Sequence, residues 1–362
     1  MNEHVVFITG ASGYVGEMLC DQFSKRPDVA KIVALDKEPQ TDWGKEIPKV
    51  TYVRHNLADD GWQEQVAAHQ PTVVIHTAWQ IRELYGERDK QWRWNIEGSD
   101  NVFDFALSTP GVERLVYFST AASYAAKVDN TFTHHFTEAE GFRDDEYSYA
   151  KEKKVSEEHL LEKYEAAKAA GRTTPKISIV RPAAITGPRG RFQRVRFGLQ
   201  SALQGNLKKG FLNRIVSLLT MFMPATKGWV RQFIHEDDVT DIVAQFSFAP
   251  ITWDYEAYNM TSVSEPVYAK DMGKAVGKRI LPIYPWMARL AFWFFWHATQ
   301  GKVPTAAHVW RFYSYPIVMS GEKLATVYTC KYSSLDAIRY TDGRYEDWVP
   351  ESKRSTRPTQ AA

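Results

Sequence analysis

The feature that most constrains this chain is a glycine turn set between a strand and a helix near its start. Val5-Val6-Phe7-Ile8 is a short apolar run that reads as a buried strand, and Thr9-Gly10-Ala11-Ser12-Gly13-Tyr14-Val15-Gly16 follows it directly. Met18, Leu19 and Phe23 then mark one apolar face of a helix. Glycines let a backbone come close to a phosphate, and the N–H groups of a helix start face its negative charge. A second apolar run, Lys31-Ile32-Val33-Ala34-Leu35, ends on Asp36, twenty residues after Gly16. An acid there can accept hydrogen bonds from the adenosine ribose hydroxyls. Glycines alone mark any tight turn. With the strand, the helix and the placed acid they predict a dinucleotide site made by Gly10, Ser12, Gly13, Tyr14, Val15, Gly16 and Asp36.

The same rhythm continues through the first half. Val50-Thr51-Tyr52-Val53, Thr72-Val73-Val74-Ile75-His76, Arg114-Leu115-Val116-Tyr117-Phe118 and Ile177-Ser178-Ile179-Val180 read as further strands. A helix from about Asn95 to Leu107 and a long charged one beginning near Tyr149 separate the later ones. Nearly continuous apolar strands alternating with helices imply a parallel sheet covered on both faces, an α/β doubly wound fold. From about Ala183 the rhythm gives way to basic residues, aromatics and Pro/Gly punctuation.

Bulk properties exclude several classes. A net charge of +2, from 45 basic and 43 acidic residues, gives no case for a nucleic-acid partner. Cys20 and Cys330 make no disulfide framework and suit a reducing compartment, so a cytoplasmic protein is expected. Met1 to His4 run straight into the first strand and leave no room for a signal peptide. The apolar stretch Leu290 to Trp296 is far too short to span a bilayer.

The chemistry lies at the end of the fifth strand and on the helix after it. Phe118-Ser119-Thr120 stands at a strand C-terminus, where open parallel sheets hold ligands. About thirty residues on, Tyr147-Ser148-Tyr149-Ala150-Lys151-Glu152-Lys153 repeats a Tyr/Lys pair at a spacing of four, which shares a helix face. An ammonium beside a phenol favours phenolate and lowers its pKa from about 10. A hydroxyl from the strand end would hold the same substrate oxygen, giving an acid/base site for hydride transfer at a secondary alcohol. A lone Tyr-x-x-x-Lys is ordinarily a solvated helix face; behind a dinucleotide turn it reads as catalytic. The two pairs sit about 200° apart around a helix, so one is in the site and the other is not. The expected set is Tyr149 as acid/base, Lys153 as its electrostatic support and Thr120 as the substrate-orienting hydroxyl. Ser119 is expected to cap backbone, and Tyr147 with Lys151 is the alternative pair.

These segments resemble the extended short-chain dehydrogenase/reductase superfamily, in its NAD-dependent epimerase/dehydratase branch. The resemblance runs from Val5 to about Ser262, with a looser echo to Trp348. Its elements here are the turn Thr9 to Gly16, Asn56-Leu57, His76-Thr77-Ala78-Trp79, Asn95-Ile96-Glu97-Gly98, Arg181 to Pro188, Gln232 to Val239, and Tyr258-Asn259. It implies NAD as cofactor, with Asn56, Leu57, Thr77, Ala78, Trp79, Asn95, Arg181 and Pro182 joining Tyr149 and Lys153 on the cofactor side. It also implies a Rossmann domain over 1–182 with returns at about 230–260, and a substrate-binding region over 183–229 and 261–349. The polar tail 350–362 reads as disordered.

Departures narrow the reading. Sugar dehydratases of this superfamily carry an Asp-Glu pair after the catalytic Thr, and Ala121-Ala122 stand there instead. Asn56 replaces an Asp, though its carbonyl can still accept from an adenine amino group. Trp79 is bulkier than the usual residue. His134-His135 with Glu138 completes no metal site, and His76 reads as a hydrogen-bonded strand-end histidine. The aromatic stretch Pro285 to Trp296, with Trp310, Phe312, Tyr313 and Tyr315, admits three readings. It is substrate-domain core, the lining of an apolar pocket, or a membrane-surface contact aided by Arg189, Arg191, Lys208 and Lys209. The expected activity is an NAD-dependent oxidoreductase or epimerase on a nucleoside-diphosphate sugar, a small-molecule substrate. A net dehydrogenase on a hydroxysteroid-like alcohol and a non-catalytic dinucleotide sensor are the alternatives. A homodimer and a peripheral membrane contact are compatible with it.

Overall fold

The computed structural model describes residues 3–143, 146–190, 222–275, 277–339, 343–345 and 347. Arg191, Lys208, Lys209 and the tail 350–362 lie outside them.

Apolar runs become strands where the sequence places them. They are β1 (His4–Thr9), β2 (Val29–Asp36), β3 (Val50–Arg54), β4 (Val73–His76), β5 (Arg114–Phe118) and β6 (Lys176–Pro182). Helices alternate with them: α1 (Tyr14–Ser24), α2 (Asp42–Glu46), α3 (Trp62–Ala67), α4 (Arg88–Trp92), α5 (Gly98–Ser108) and α6 (Ser148–Ala169). Further on come β7 (Ala184–Thr186), β8 (Phe222–Ala225), β9 (Val230–Arg231), β10 (Phe233–His235), α7 (Glu236–Phe248) and β11 (Tyr255–Met260). The last elements used below are β12 (Val267–Tyr268), α8 (Ala269–Ala275), β13 (Arg279–Pro282) and α9 (Pro285–Ala298). Seven strands form a parallel α/β Rossmann sheet in the order β11-β6-β5-β4-β1-β2-β3. The order reverses at β1 and β4, which pair in parallel with Thr9 opposite His76, so their C-terminal ends flank one crevice.

The chain divides into two compact units. The first comprises Met1–Thr120, Lys151–Arg181 and Thr240–Tyr258. Its core runs under the sheet through Phe7, Trp62, Phe103, Phe105, Tyr117 and Ile177, all buried. The rings of Phe7 and Trp62 lie 5.6 Å apart and those of Phe103 and Tyr117 5.1 Å apart, close enough for aromatic attraction beyond simple burial. The second unit comprises Ala121–Ala150, Pro182–Val239 and Asn259–Ala362. Its core gathers Trp229, Phe233, Val267 and Met272 around the short pairs β7 with β10, β9 with β12, and β8 with β13. Segment 121–150, expected in the Rossmann domain, thus groups with the second unit, and the return is 240–258 rather than 230–260. The physical reason is local. Tyr124 donates to Asn259 at 2.7 Å and stacks on Phe136, and Phe136 bonds the Val318 carbonyl, so the segment is tied to later chain.

Candidate active site

The glycine turn works through close approach. Gly10 has φ +72°, and a Cβ there would lie 2.7 Å from Ala78 Cα. A Cβ on Gly16 would overlap the Gly10 carbonyl. Larger residues at either position would push β1, the start of α1 and the Thr77-Ala78 turn apart. Gly13 stands at the N-cap of α1, and no side chain caps that helix start. An uncapped helix N-terminus beside a glycine turn suits a pyrophosphate. Tyr14 is buried and Val15 half-buried in the first turn. Ser12 is turned away: its hydroxyl meets Tyr52 at 2.6 Å and the Pro39 carbonyl at 3.0 Å.

Asp36 ends β2 beside this turn. Its two carboxylate oxygens accept from the Ser12 N–H at 3.1 Å and the Glu38 N–H at 3.0 Å. Burial nevertheless raises its pKa above the usual range, with those bonds opposing. The Asn56 side-chain Oδ1 accepts from the Ala58 N–H at 3.1 Å, while Leu57 packs into the core. Thr77 donates to the Thr9 carbonyl at 2.7 Å, fixing the turn after β4. His76 is buried between Thr9 at 2.7 Å and Ser99 at 2.9 Å, and burial holds its pKa well below the usual histidine range. A neutral, doubly bonded ring of this kind holds elements together, as its sequence setting suggested.

Two residues expected on the cofactor side have structural partners. The Asn95 amide exchanges bonds with the Gln80 N–H at 2.7 Å and carbonyl at 3.1 Å, and donates to buried Glu152 at 2.6 Å. Arg181 forms a two-point buried ion pair with Glu157 at 3.1 and 2.7 Å, clamping β6 to α6. Pro182 ends β6 half-buried.

The candidate reactive residues lie at the end of β5 and on α6. Lys153 is only 3% exposed, and its Nζ donates to the Phe118 carbonyl, lies 3.4 Å from the Tyr117 hydroxyl and sits 3.4 Å from the centre of the Trp79 ring. Burial pushes its pKa well below the lysine range, against the pull of Glu157 and Glu152. Lys151, two residues earlier, is exposed. Tyr149 stands one turn before Lys153 on α6, half-buried, and Tyr147 packs its ring 5.1 Å from Phe312. Thr120 is buried just past β5. Ser119, expected to cap backbone, does not: its hydroxyl is buried without a hydrogen-bond partner, and so is the Trp79 indole N–H. Each orphaned group costs about 1–3 kcal/mol until a ligand meets it. Two such groups beside Lys153, with the glycine cradle, fit a dinucleotide.

Sequence reasoning passed over Arg231. In the second unit its guanidinium lies 5.8 Å from the Trp229 ring and 5.5 Å from the Tyr313 ring, and donates to the Val230 carbonyl at 3.1 Å. No carboxylate among the described residues pairs with it, and burial lowers its pKa. The sequence carries only a coarse signal, an absence of Asp and Glu between residues 166 and 235 that Arg231 shares with twelve other Lys and Arg. His134 bonds Glu140 at 2.7 Å, and no metal-holding group occurs among the described residues.

The model of the NAD dependent epimerase/dehydratase family matches residues 6–260. The chain belongs to that family. It is an NAD-dependent enzyme of the extended short-chain type. Among solved structures, the Bordetella bronchiseptica enzyme WbmG in complex with NAD and UDP is 18% identical with a TM-score of 0.65, covering 96% of this chain and 94% of that one. Epimerase Mth375 of Methanothermobacter thermautotrophicus is 17% identical, TM-score 0.67, with 96% and 92% covered. The UDP-glucose 4-epimerase of Thermus thermophilus in complex with NAD is 19% identical, TM-score 0.63, with 92% and 96% covered. At such identities the likeness is one of fold. A curated relative, the uncharacterized protein y4nG of Sinorhizobium fredii, is 27% identical over 180 residues, 50% of this chain. The matched stretch spans 41% of that relative's length.

Proposed function

We propose that this family member oxidises a secondary alcohol of a nucleoside-diphosphate sugar and returns the hydride, as an epimerase. The observation that carries the chemistry is Lys153, buried at the end of β5 on the helix that also holds Tyr149, while Lys151 faces solvent. Tyr149 takes the hydroxyl proton as the C–H bond breaks, and gives it back when the carbonyl is reduced. Lys153 favours the phenolate between those steps. Thr120 donates to the substrate oxygen as negative charge builds there. NAD, when bound, accepts the hydride and supplies it again. Gly10, Gly13, Gly16 and the start of α1 would hold its pyrophosphate, Asp36 its adenosine ribose, and Ser119 and Trp79 its far end. Ala121 and Ala122 lack the acid and base that loss of water needs.

The substrate class rests on Arg231, a half-buried cation between the Trp229 and Tyr313 rings without a carboxylate partner among the described residues, which suits a diphosphate. WbmG was solved with UDP and a Thermotoga maritima UDP-glucose 4-epimerase with UDP-glucose, which supports the same class. A second reading, a dehydrogenase for an apolar alcohol, draws on the aromatics of α9. Mass spectrometry of small molecules retained by the purified enzyme separates the two. A uridine or thymidine sugar supports the epimerase, and a sterol-like lipid replaces it with the second reading. We place the enzyme in the cytoplasm, where two free cysteines persist, and propose that it acts as a homodimer.

A further inference from the structure

Helix α9 is apolar on both sides. Ala288 and Trp296 are buried, yet Trp286, Leu290, Trp293 and Phe294 on the opposite side are 56–64% exposed. Tyr284, just before the helix, is 65% exposed, and Leu281 on β13 is exposed too. A helix apolar all round is normally enclosed, and single exposed apolar residues are common, but a contiguous aromatic face is not.

The charge around this face is one-sided. Between Met272 and Gly321 the sequence holds no Asp or Glu but six Lys and Arg. Arg311 pairs with Glu146 at 2.6 Å. Lys274, Lys278, Arg279, Arg289 and Lys302 have no carboxylate partner among the described residues. Arg279 lies on β13 leading into α9, Arg289 is exposed on the helix, and Lys302 follows its end.

We propose that the outward face of α9 docks on an anionic lipid membrane, lying in its interface. Tryptophan and tyrosine suit the headgroup level, leucine and phenylalanine the acyl boundary, and unpaired cations the lipid phosphates. A second copy of this chain is disfavoured as the occupant. A self-complementary contact through this face would bring Arg279 and Arg289 against their own kind. No helix among the described residues is long and apolar enough to cross a membrane, so the contact is peripheral.

The test is flotation of the full chain with phosphatidylcholine vesicles, with and without about one third phosphatidylglycerol. The protein should float with the anionic vesicles, with at least about tenfold less bound to neutral ones, and acyl-chain bromines should quench its tryptophan emission. Leu290→Ser with Trp293→Ser should cut binding about tenfold while melting temperature and NAD affinity stay unchanged. Arg279→Glu with Arg289→Glu should erase the preference for anionic lipid. Wild-type protein that ignores both vesicles overturns the proposal, as does a serine variant that floats normally. So does a serine variant whose only change is loss of a dimer in sedimentation velocity. Quenching in the unsubstituted chain needs no variant, so misfolding of one leaves the proposal open to refutation.

Discussion

The two units differ in what fixes them. In the first, backbone geometry dominates: Gly10 at φ +72°, the Gly16 contact and the parallel pairing of β1 with β4 leave few residue choices. In the second, short strand pairs carry a basic, aromatic stretch of sequence, and the substrate and membrane roles proposed for Arg231 and α9 both lie there. Substitutions can break that contrast if they cross it.

The largest effect should come from Lys153→Met. Hydride transfer should fall by a factor on the order of 10²–10⁴ in single-turnover absorbance, because the phenolate loses its support. Protonation sharpens the point. With its pKa held below the lysine range, wild-type Lys153 loses charge as pH rises, so activity should begin to fall before pH reaches about 10.4. Stability moves the other way. Between the folded pKa and about 10.4 the unfolded chain binds more protons, so the free energy of unfolding rises with pH, by up to about 1.4 kcal/mol per unit. Urea titrations of wild type and Lys153→Met across that window should differ in slope, and equal slopes would mean an exposed or normally titrating lysine.

Arg231→Ala should raise the KM for a nucleoside-diphosphate sugar by about 10- to 100-fold and leave NAD affinity alone. A change in NAD affinity instead would erase the division between the units. Asp36→Ala is the smaller effect. NAD should be preferred in the wild type, because a carboxylate repels a 2′-phosphate and Lys37 is drawn to Glu38 at 2.6 Å. The variant should narrow that gap about tenfold in binding titrations of both cofactors. An unchanged ratio would mean Asp36 serves only Ser12 and Glu38.

How legible each part was follows from the same contrast. β5 falls on Arg114–Phe118 as read, and the other strands of the first half shift by a residue or two, because buried parallel strands are continuous apolar runs. The helix expected from about Asn95 is less simple. A wider π turn spans Arg93–Glu97 before α5, with Asn95 reaching back to Gln80 and across to Glu152. Local periodicity carries no trace of such cross-chain bonds, nor of the buried Arg181–Glu157 pair. That the Ser119 hydroxyl and the Trp79 indole N–H lack partners is visible only in the packing. Arg231 is not singled out by sequence, since its acid-free stretch holds thirteen Lys and Arg and only packing sets it between the Trp229 and Tyr313 rings.

The central claim is that Tyr149 and Lys153 carry the proton chemistry. It is tested most directly by comparing Tyr149→Phe with Tyr147→Phe in hydride transfer and in NAD affinity. Tyr149→Phe removes one phenolic oxygen and should lower hydride transfer by about 10²–10⁴ while NAD affinity holds. Tyr147→Phe, a ring packed on Phe312, should be mild. The reverse order of severity would contradict the account and make Tyr147 with Lys151 the working pair.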